Sequence, residues 1–279
     1  MSKLDFQSQT MNILRPSLLL LVCMIILQSC HKPGDEQIPQ GGTRLKMVSI
    51  LEKAKYTTYF HSFAYDSAAR LRSFVDSIWF RTDNKTYTGM SWPINDIEYD
   101  QNGKIIQVAE RDLAFDKHQL WFYNSENLVS KVVAVHMLSQ DTIINFYKYD
   151  SNKRLISDSV YNSEKKTLIN YTTFGYDANN NAIQWKHFTN TSGTIKNDLT
   201  WNVVYDNHPN PYRTVINYAA PNLTGYACVS QNNITRMNCS DGSVQQFQYE
   251  YYSNGLPWRS VNTIVSGQTT IQNVNYLYE

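Results

Sequence analysis

Glycine, cysteine and excess charge of either sign are scarce in this sequence. Among 279 residues there are 11 Gly and 4 Cys, and the formal net charge at pH 7 is +1. The sequence has no Gly-rich phosphate-binding loop and no Gly-x-Ser-x-Gly nucleophile elbow. It also has no basic face or charge run of the kind that binds nucleic acid. We therefore expect no nucleic-acid partner.

Residue patterns for metal binding or catalysis are also missing. The six histidines are scattered, and no two of them stand at metal-ligand spacing. Residues Asp177–Asn181 approximate the start of a calcium loop, but no bidentate Glu follows, and an ordinary Asx turn explains the pattern. We predict no cofactor, no metal site and no catalytic residues, and hence a non-enzymatic protein. A hydrolase whose site is assembled from distant residues is the least favoured alternative.

Aromatic residues, by contrast, are abundant, with 20 Tyr, 11 Phe and 6 Trp, and they recur in one phrase. A strand-like run ends in Tyr followed by Asp or Asn, polar turn residues come next, and an apolar run leads away. Phe146–Ile156 is the clearest copy. The repeated tyrosines are Tyr65, Tyr99, Tyr123, Tyr149, Tyr176, Tyr205 and Tyr251. Many of them are roughly 25 residues apart, which is enough for one β-hairpin and its connection.

These repeats predict an all-β fold over residues 46–279. We expect an antiparallel meander of repeated hairpins that forms one curled or superhelical sheet, with a closed or partly closed barrel as the alternative. The Asp after each Tyr should accept hydrogen bonds from turn amides two residues further on. The repeat is most altered between Tyr205 and Tyr251, where a Pro-rich loop replaces the turn, so a function should be sought there.

The N-terminus predicts export. Lys3 and Arg15 precede an apolar run, Leu18–Leu27, which is short for a membrane span and typical of a signal peptide. The run ends in Leu-Gln-Ser before Cys30, and this resembles a bacterial lipobox.

The resemblance implies that residues 1–30 are a lipoprotein signal peptide and that Cys30 carries acyl chains that anchor the protein to the membrane. Ordinary secretory cleavage beside an incidental cysteine is the alternative. Residues 31–45 are rich in Pro and Gly and predict a flexible tether. The expected location is the cell envelope, at the outer membrane, with the membrane face undetermined.

Two further cysteines, Cys228 and Cys239, would follow the protein into an environment that permits disulfides. A turn signal at Gln231-Asn232-Asn233 could place them opposite each other on two hairpin arms. A disulfide and two free, buried thiols are both open, because the strand register decides whether the side chains face each other.

The order of the Tyr-Asp phrases resembles the YD repeats of Rhs-like proteins and, more closely, a family of Bacteroidota lipoproteins of unknown function. The phrases Asp206–Tyr212, Ser230–Ile234 and Tyr249–Pro257 add to this resemblance. It covers roughly residues 46–279. The resemblance implies an antiparallel β fold on the cell envelope without an established chemistry, so no catalytic residue is carried over.

Four short Asp-(Ser/Thr)-apolar phrases are similar to the O-glycosylation pattern of exported Bacteroidota proteins. The acceptors in these phrases would be Ser67, Ser77, Thr142 and Ser159. Turn chemistry at the ends of hairpins is the alternative explanation.

The leading functional hypothesis is an envelope lipoprotein whose repeat sheet acts as a scaffold or binding surface. The alternative is a glycan-binding accessory lipoprotein of an outer-membrane uptake system. Its expected partners are the membrane through the lipid, and a glycan or another envelope protein. Trp185 and Trp258 follow turns and are the candidates for an aromatic binding surface, although aromatic residues in such sheets commonly pack in the core or across strands.

Overall fold

The structure is a computed structural model, and it describes residues 44–52, 57–81, 87–91, 94–111, 117–136, 141–164, 166–215 and 228–278. The predicted signal peptide, Cys30 and the tether up to residue 43 lie outside the described residues. None of the helices within the described ranges has the length and hydropathy that a membrane crossing requires.

The described residues form seventeen strands and one short helix. The first nine strands are β1 (Leu45–Glu52), β2 (Thr57–Tyr65), β3 (Leu71–Arg81), β4 (Tyr87–Ser91), β5 (Ile94–Tyr99), β6 (Ile105–Arg111), β7 (Lys117–Tyr123), β8 (Val129–His136) and β9 (Thr142–Tyr149). The remaining elements are β10 (Leu155–Asn162), β11 (Thr167–Tyr176), β12 (Ala182–Thr191), β13 (Thr194–Pro209), helix α1 (Tyr212–Val215), β14 (Asn232–Cys239), β15 (Val244–Tyr251), β16 (Pro257–Ser266) and β17 (Gln268–Tyr278).

The strands form an antiparallel meander that closes into a β-barrel. Strands β4 and β5 both pair with β3, at opposite ends of it, so the seventeen described strands occupy sixteen positions. The last strand, β17, pairs with β1 from Glu52 opposite Gln272 to Leu45 opposite Tyr278. The all-β meander predicted from the repeats is therefore confirmed.

The leading expectation was a curled open sheet. The sheet instead closes into the barrel that was the alternative. An open sheet would leave β1 and β17 as two edges with unpaired backbone groups, and pairing them removes both edges. Strand β1 lies at the start of residues 46–279, for which the repeats predict the all-β fold.

Alternation of side chains divides each strand into an inner and an outer face. In β7, Gln119 and Trp121 are buried, whereas Leu120 and Phe122 are exposed. The buried apolar residues form one cluster inside the barrel that includes residues from β1, β2, β3, β5 to β13 and β17. Side chains alternate between the two faces along a strand, so the inward-facing apolar residues of this cluster meet and form a packed core.

The Asp of each Tyr-Asp pair fixes the turn that follows it. In the fourth repeat, Asp150 Oδ1 accepts hydrogen bonds from the backbone N–H groups of Asn152 and Arg154, both at 2.9 Å. Lys153, which lies between Asn152 and Arg154, has a φ of 61°. The same pair of contacts is made by Asp66, Asp100, Asn124 and Asp177. The predicted turn role is therefore present in five repeats.

The Tyr of each pair makes a second, longer-range contact. The Tyr149 hydroxyl donates to the Val129 carbonyl at 2.9 Å, which joins the end of β9 to the start of β8. Six other tyrosines make the equivalent bond over 2.6 to 2.9 Å: Tyr65 to Leu45, Tyr99 to Leu71, Tyr123 to Ile105, Tyr176 to Leu155, Tyr205 to Ala182 and Tyr278 to Pro257. We call these seven bonds the tyrosine ladder. Tyr278 belongs to it although the repeat pattern did not identify it.

Burial keeps the ladder hydroxyls protonated. Desolvation raises the pKa of Tyr99 and of Tyr123 to about 12. The same cause raises the pKa of Tyr149 and Tyr176 still further. These hydroxyls are consequently hydrogen-bond donors throughout the physiological pH range.

Replacing Tyr149 with Phe should destabilise the barrel by about 1–3 kcal/mol, because the carbonyl of the buried Val129 loses its partner. The measurement is urea unfolding followed by circular dichroism. Tyr171→Phe is the matched control, because the Tyr171 ring stacks on Phe188 on the outer face. We expect the control to change stability by less than about 0.5 kcal/mol. Equal effects of the two substitutions would contradict a stabilising ladder.

Alkaline pH should weaken the fold through the same tyrosines. Their pKa values are raised in the folded state, so their contribution is complete below the unfolded value of about 10 and is lost as the pH rises toward 12. Tyrosinate absorbance and unfolding free energy should be followed over this range. If the ladder tyrosines ionised near pH 10 in the folded protein without loss of stability, their burial would not have the assigned role.

Candidate functional site

The repeat is interrupted between β13 and β14, where residues 210–231 replace a short turn. We call residues 210–231 the insertion, of which residues 210–215 and 228–231 are described. Asn210 N–H donates to the Gln231 carbonyl at 3.1 Å and closes its base. Pro211, Val215 and Cys228 are each less than 5% exposed. Since Val215 and Cys228 belong to the barrel core cluster, the insertion packs into the barrel beside the Tyr-Asp turns.

Hydrogen bonds from neighbouring strands hold the insertion in place. Ser230 Oγ accepts from the Ala182 N–H at 3.0 Å and donates to the Tyr205 hydroxyl at 2.7 Å. Asn232, the first residue of β14, donates its N–H to Asn181 Oδ1 at 2.9 Å. The insertion is therefore fixed to the start of β12 and to the ladder residue Tyr205.

Asp206 joins the insertion to the next repeat. Its Oδ1 accepts from the N–H groups of His208 at 2.9 Å and Asn233 at 3.2 Å. Its Oδ2 accepts from the hydroxyl of Tyr251, which is the repeat tyrosine that does not join the ladder. The His208 ring stacks on Tyr251 with 3.9 Å between ring centroids. Burial and the adjacent Asp206 raise the pKa of Tyr251.

This junction also explains a glycine. Gly255 has a φ of +84°, and a Cβ added there would lie 3.3 Å from His208 Nδ1. Asp206, His208 and Tyr251 thus bind one another, and their arrangement locks the chain rather than presenting a reactive group.

Inside the barrel, next to the insertion, lies a cavity of about 360 Å³. Its apolar and aromatic lining is Ile50, Phe63, Phe74, Trp185, Pro211, Tyr212, Ile234, Met237, Phe247, Tyr249, Val274 and Tyr276. The remaining lining residues are polar: His61, Asn210, Asn233 and Asn262. A cavity of this size with a few amides among aromatic rings has the usual character of a small-molecule site.

The polar groups of the cavity differ in how far they are already engaged. Asn210 donates to the Ser230 carbonyl at 3.1 Å and accepts from the Tyr212 N–H at 3.1 Å, so it supports the insertion. Asn262 Oδ1 accepts from Ser260 Oγ at 2.9 Å, and this bond leaves the two amide hydrogens of Asn262 for another acceptor. The cavity can therefore offer hydrogen-bond donors and ring faces.

The described lining has no carboxylate, and His61 is its one histidine. No group of three or more His, Cys, Asp or Glu side chains that could hold a metal ion occurs among the described residues.

The two tryptophans proposed for an aromatic binding surface do not form one. Trp185 is 7% exposed, lines the cavity, and donates from Nε1 to the Ala182 carbonyl at 2.8 Å. Trp258 is half-buried, and its Nε1 is buried without a hydrogen-bond partner among the described residues. Trp185 turns inward because it faces Phe174 on β11, which is also a core residue.

Of the two alternatives left open for Cys228 and Cys239, the disulfide is not formed. The sequence suggested a turn between them, but Asn232–Cys239 is one continuous strand. Eight extended residues span about 23 Å, whereas the Cα atoms of a disulfide lie within about 7 Å of each other. Cys239 faces Trp201 on β13 instead.

The predicted O-glycosylation acceptors lie at different depths. Ser67 is exposed in the first Tyr-Asp turn, and Ser77, Thr142 and Ser159 are half-buried on β3, β9 and β10. Their modification stays a prediction.

Sequence reasoning missed the cavity residues His61, Asn210, Asn233 and Asn262. They come from three strands and the insertion, and the complete lining comes from eight strands. The one available signal was the loss of the repeat after Tyr205, which correctly pointed to the neighbourhood of the insertion.

No family model and no curated protein matches this chain. Among solved structures, a porin-like protein from Bacteroides uniformis matches 84% of this chain and 96% of its own, with 15% identity and a TM-score of 0.60. A porin-like protein from Bacteroides vulgatus matches 85% of this chain and 99% of its own, with 10% identity and a TM-score of 0.44. A TcdB2-TccC3 structure matches 79% of this chain and 14% of its own, with 14% identity and a TM-score of 0.34.

The first of these matches supports the barrel fold over most of both chains. At 15% identity it establishes the fold alone. The other two likenesses are too weak to support an argument about the architecture.

Proposed function

We propose that this chain is a cell-envelope lipoprotein of the YD-repeat type, anchored through Cys30, whose barrel is a scaffold that binds a small ligand in its interior. The main observation that supports the proposal is the interior cavity. It combines about 360 Å³ of space with aromatic rings and amides, and its described lining has no carboxylate. The cavity lies beside the insertion, where the repeat changes from a purely structural unit.

A closed scaffold fits the described geometry better than an open channel. The insertion packs buried residues into one end of the barrel. The outer face also has charged and amide side chains along β14, β15 and β16, among them Arg236, Gln248 and Glu250. A barrel that spans a bilayer needs a continuous apolar band around its outside, and these strands interrupt it.

The lining favours a neutral sugar as the ligand class, which corresponds to the glycan-binding alternative. Trp185, Tyr249 and Tyr276 provide aromatic surface, and Asn233 and Asn262 provide amides. Sugars present apolar ring faces and hydroxyl groups, so they match such a mixture of rings and hydrogen-bonding groups. The absence of carboxylates from the described lining agrees with an uncharged ligand.

Filling the cavity should abolish ligand binding. Met237→Trp adds volume to the lining, and Val204→Trp on the neighbouring strand is the matched control, because Val204 is 51% exposed on the outer face. The full chain and both variants should be tested on a glycan array and by calorimetry with neutral mono- and disaccharides. We expect binding by the parent and the Val204 variant, and at least a tenfold loss in the Met237 variant.

Equal binding by both variants would place the ligand elsewhere. No binding of any saccharide, together with steady ion conductance of the reconstituted protein, would overturn the binding-scaffold proposal. Circular dichroism of both variants checks that the barrel is intact.

Lipid anchoring has a separate test. Cys30→Ala should prevent acylation, so the mature protein should lose the mass of the acyl chains and no longer partition into detergent. Cys23→Ala is the control, because Cys23 lies within the predicted signal peptide. A Cys30→Ala protein with unchanged mass and membrane association would exclude Cys30 as the anchor.

A further inference from the structure

The outer face of β7 to β12 carries a row of aromatic side chains. The strand register places six residues side by side across these strands: Phe122, Lys131, Phe146, Ser159, Tyr171 and Phe188. We call these six residues the aromatic row. Since adjacent strands are about 4.8 Å apart, the row is about 24 Å long.

A second row of apolar residues runs beside it, further from the Tyr-Asp turns. Its members are Leu120, Val133, Ile144 and Tyr161. Leu120, Phe122 and Phe146 are each 40–42% exposed, which is high for large apolar side chains. The two rows together form a broad apolar face, and such faces mark interaction sites.

The charge on this face has one sign. Lys131 lies in the aromatic row. Lys148 and Lys186 lie in the neighbouring row of outward-facing residues, which is nearer to the Tyr-Asp turns. Strands β8 to β12 contain one acidic residue, Asp158, which is 4% exposed and lies on the inner face opposite Tyr147. A partner with negative charge would therefore meet lysines and no carboxylate from these strands.

The outer face on the other side of the barrel differs. Along β14 to β16 it carries Arg236, Gln246, Gln248, Glu250 and Arg259. Arg259 pairs with Glu250 at 3.3 Å, so both signs of charge are present there. Exposed apolar side chains also lie elsewhere on the outer wall, among them Trp79, Ile271 and Leu277. The aromatic row together with its three lysines distinguishes the face of β7 to β12.

We propose that the face formed by β7 to β12 rests on an anionic lipid surface. Its aromatic and aliphatic side chains would enter the boundary between headgroups and acyl chains, and the three lysines would contact the headgroup anions. Lysine suits this position because its stem lies along apolar surface while its ammonium group stays in the polar layer. Strands β14 to β16 carry Arg236, Glu250 and Arg259 on the outside, so the face would bind the membrane surface peripherally and not as part of a spanning wall.

The state of the aromatic rings favours lipid over a stacked sugar. Tyr171 and Phe188 already stack on each other at 4.5 Å. The Lys131 ammonium group lies 4.0 Å from the centre of the Phe122 ring and covers it. Rings that are engaged in this way still offer apolar area to acyl chains, but they offer fewer open faces on which a sugar ring could stack.

This contact would complement an anchor at Cys30 without depending on the interior ligand. Residues 31–44 can span at most about 50 Å when fully extended, so a tether alone would leave the barrel free to turn. Contact through the face formed by β7 to β12 would fix which side of the barrel points to the membrane and would leave the opposite side open to solvent.

Lysine labelling on vesicles tests the orientation with the full chain. The protein should be placed on vesicles of phosphatidylcholine alone or with added phosphatidylglycerol, treated with an amine-reactive reagent, and analysed by mass spectrometry. We expect labelling of Lys131, Lys148 and Lys186 to fall at least threefold on anionic vesicles only. Lys46 on β1 is the matched control, because it is exposed on the other side of the barrel.

Charge reversal provides the second measurement. The triple variant Lys131→Glu, Lys148→Glu, Lys186→Glu should lose this vesicle-dependent protection, judged by labelling with a carboxyl-reactive reagent. Arg236→Glu with Arg259→Glu is the control pair, and it should keep the protection of the three lysines. High salt should also reduce the protection, because it screens the lysine–headgroup attraction.

Uniform labelling of all four lysines on both kinds of vesicle would overturn the proposal. Protection that appears only when a glycan or a second protein is added would also overturn it, since the face would then serve that partner. Saccharide binding by the triple variant separates this proposal from the interior site: a variant that loses membrane protection but keeps its ligand leaves the proposed function intact.

Discussion

The hydrogen bond from a strand-end tyrosine to the first carbonyl of a neighbouring strand is the contact on which this barrel depends. Each bond ties the end of one strand to the start of the strand beside it, and seven of them follow one another around the barrel. The Asp or Asn that follows five of these tyrosines fixes the neighbouring turn. Together the two residues determine where every second strand stops, so the strand ends stay aligned at one end of the barrel.

The departure at Tyr251 gives the barrel its one specialised end. Because the start of β14 is displaced by the insertion, Tyr251 binds the carboxylate of Asp206 in place of a carbonyl. The bond between Tyr251 and Asp206, with the bond from Asn233 to Asp206, connects β13, β14 and β15 and holds the insertion over the cavity. The region of the proposed ligand site thus arises from a single altered repeat, while the other repeats supply its frame.

Local pattern was sufficient to predict the hairpins and the turn role of residues such as Asp150. It could not distinguish an open sheet from a closed barrel, because both use the same alternation and the same turns. Tyr278 escaped the pattern because Glu279, and not Asp or Asn, follows it. The cavity and the inward position of Trp185 depend on register across many strands, and one-residue shifts such as that between Gly175 and Tyr176 change which face a side chain occupies.

The pairing of β1 with β17 has a consequence for how the molecule is made. Every other neighbouring pair of strands is close in sequence, but Leu45 meets Tyr278, so this last seam joins the two ends of the folding unit. During synthesis β1 is made long before β17, so one edge of β1 stays unpaired until β17 is available. Closure of the barrel is therefore coupled to synthesis of β17, and a product truncated before β17 would leave unpaired strand edges for chaperones and proteases to bind.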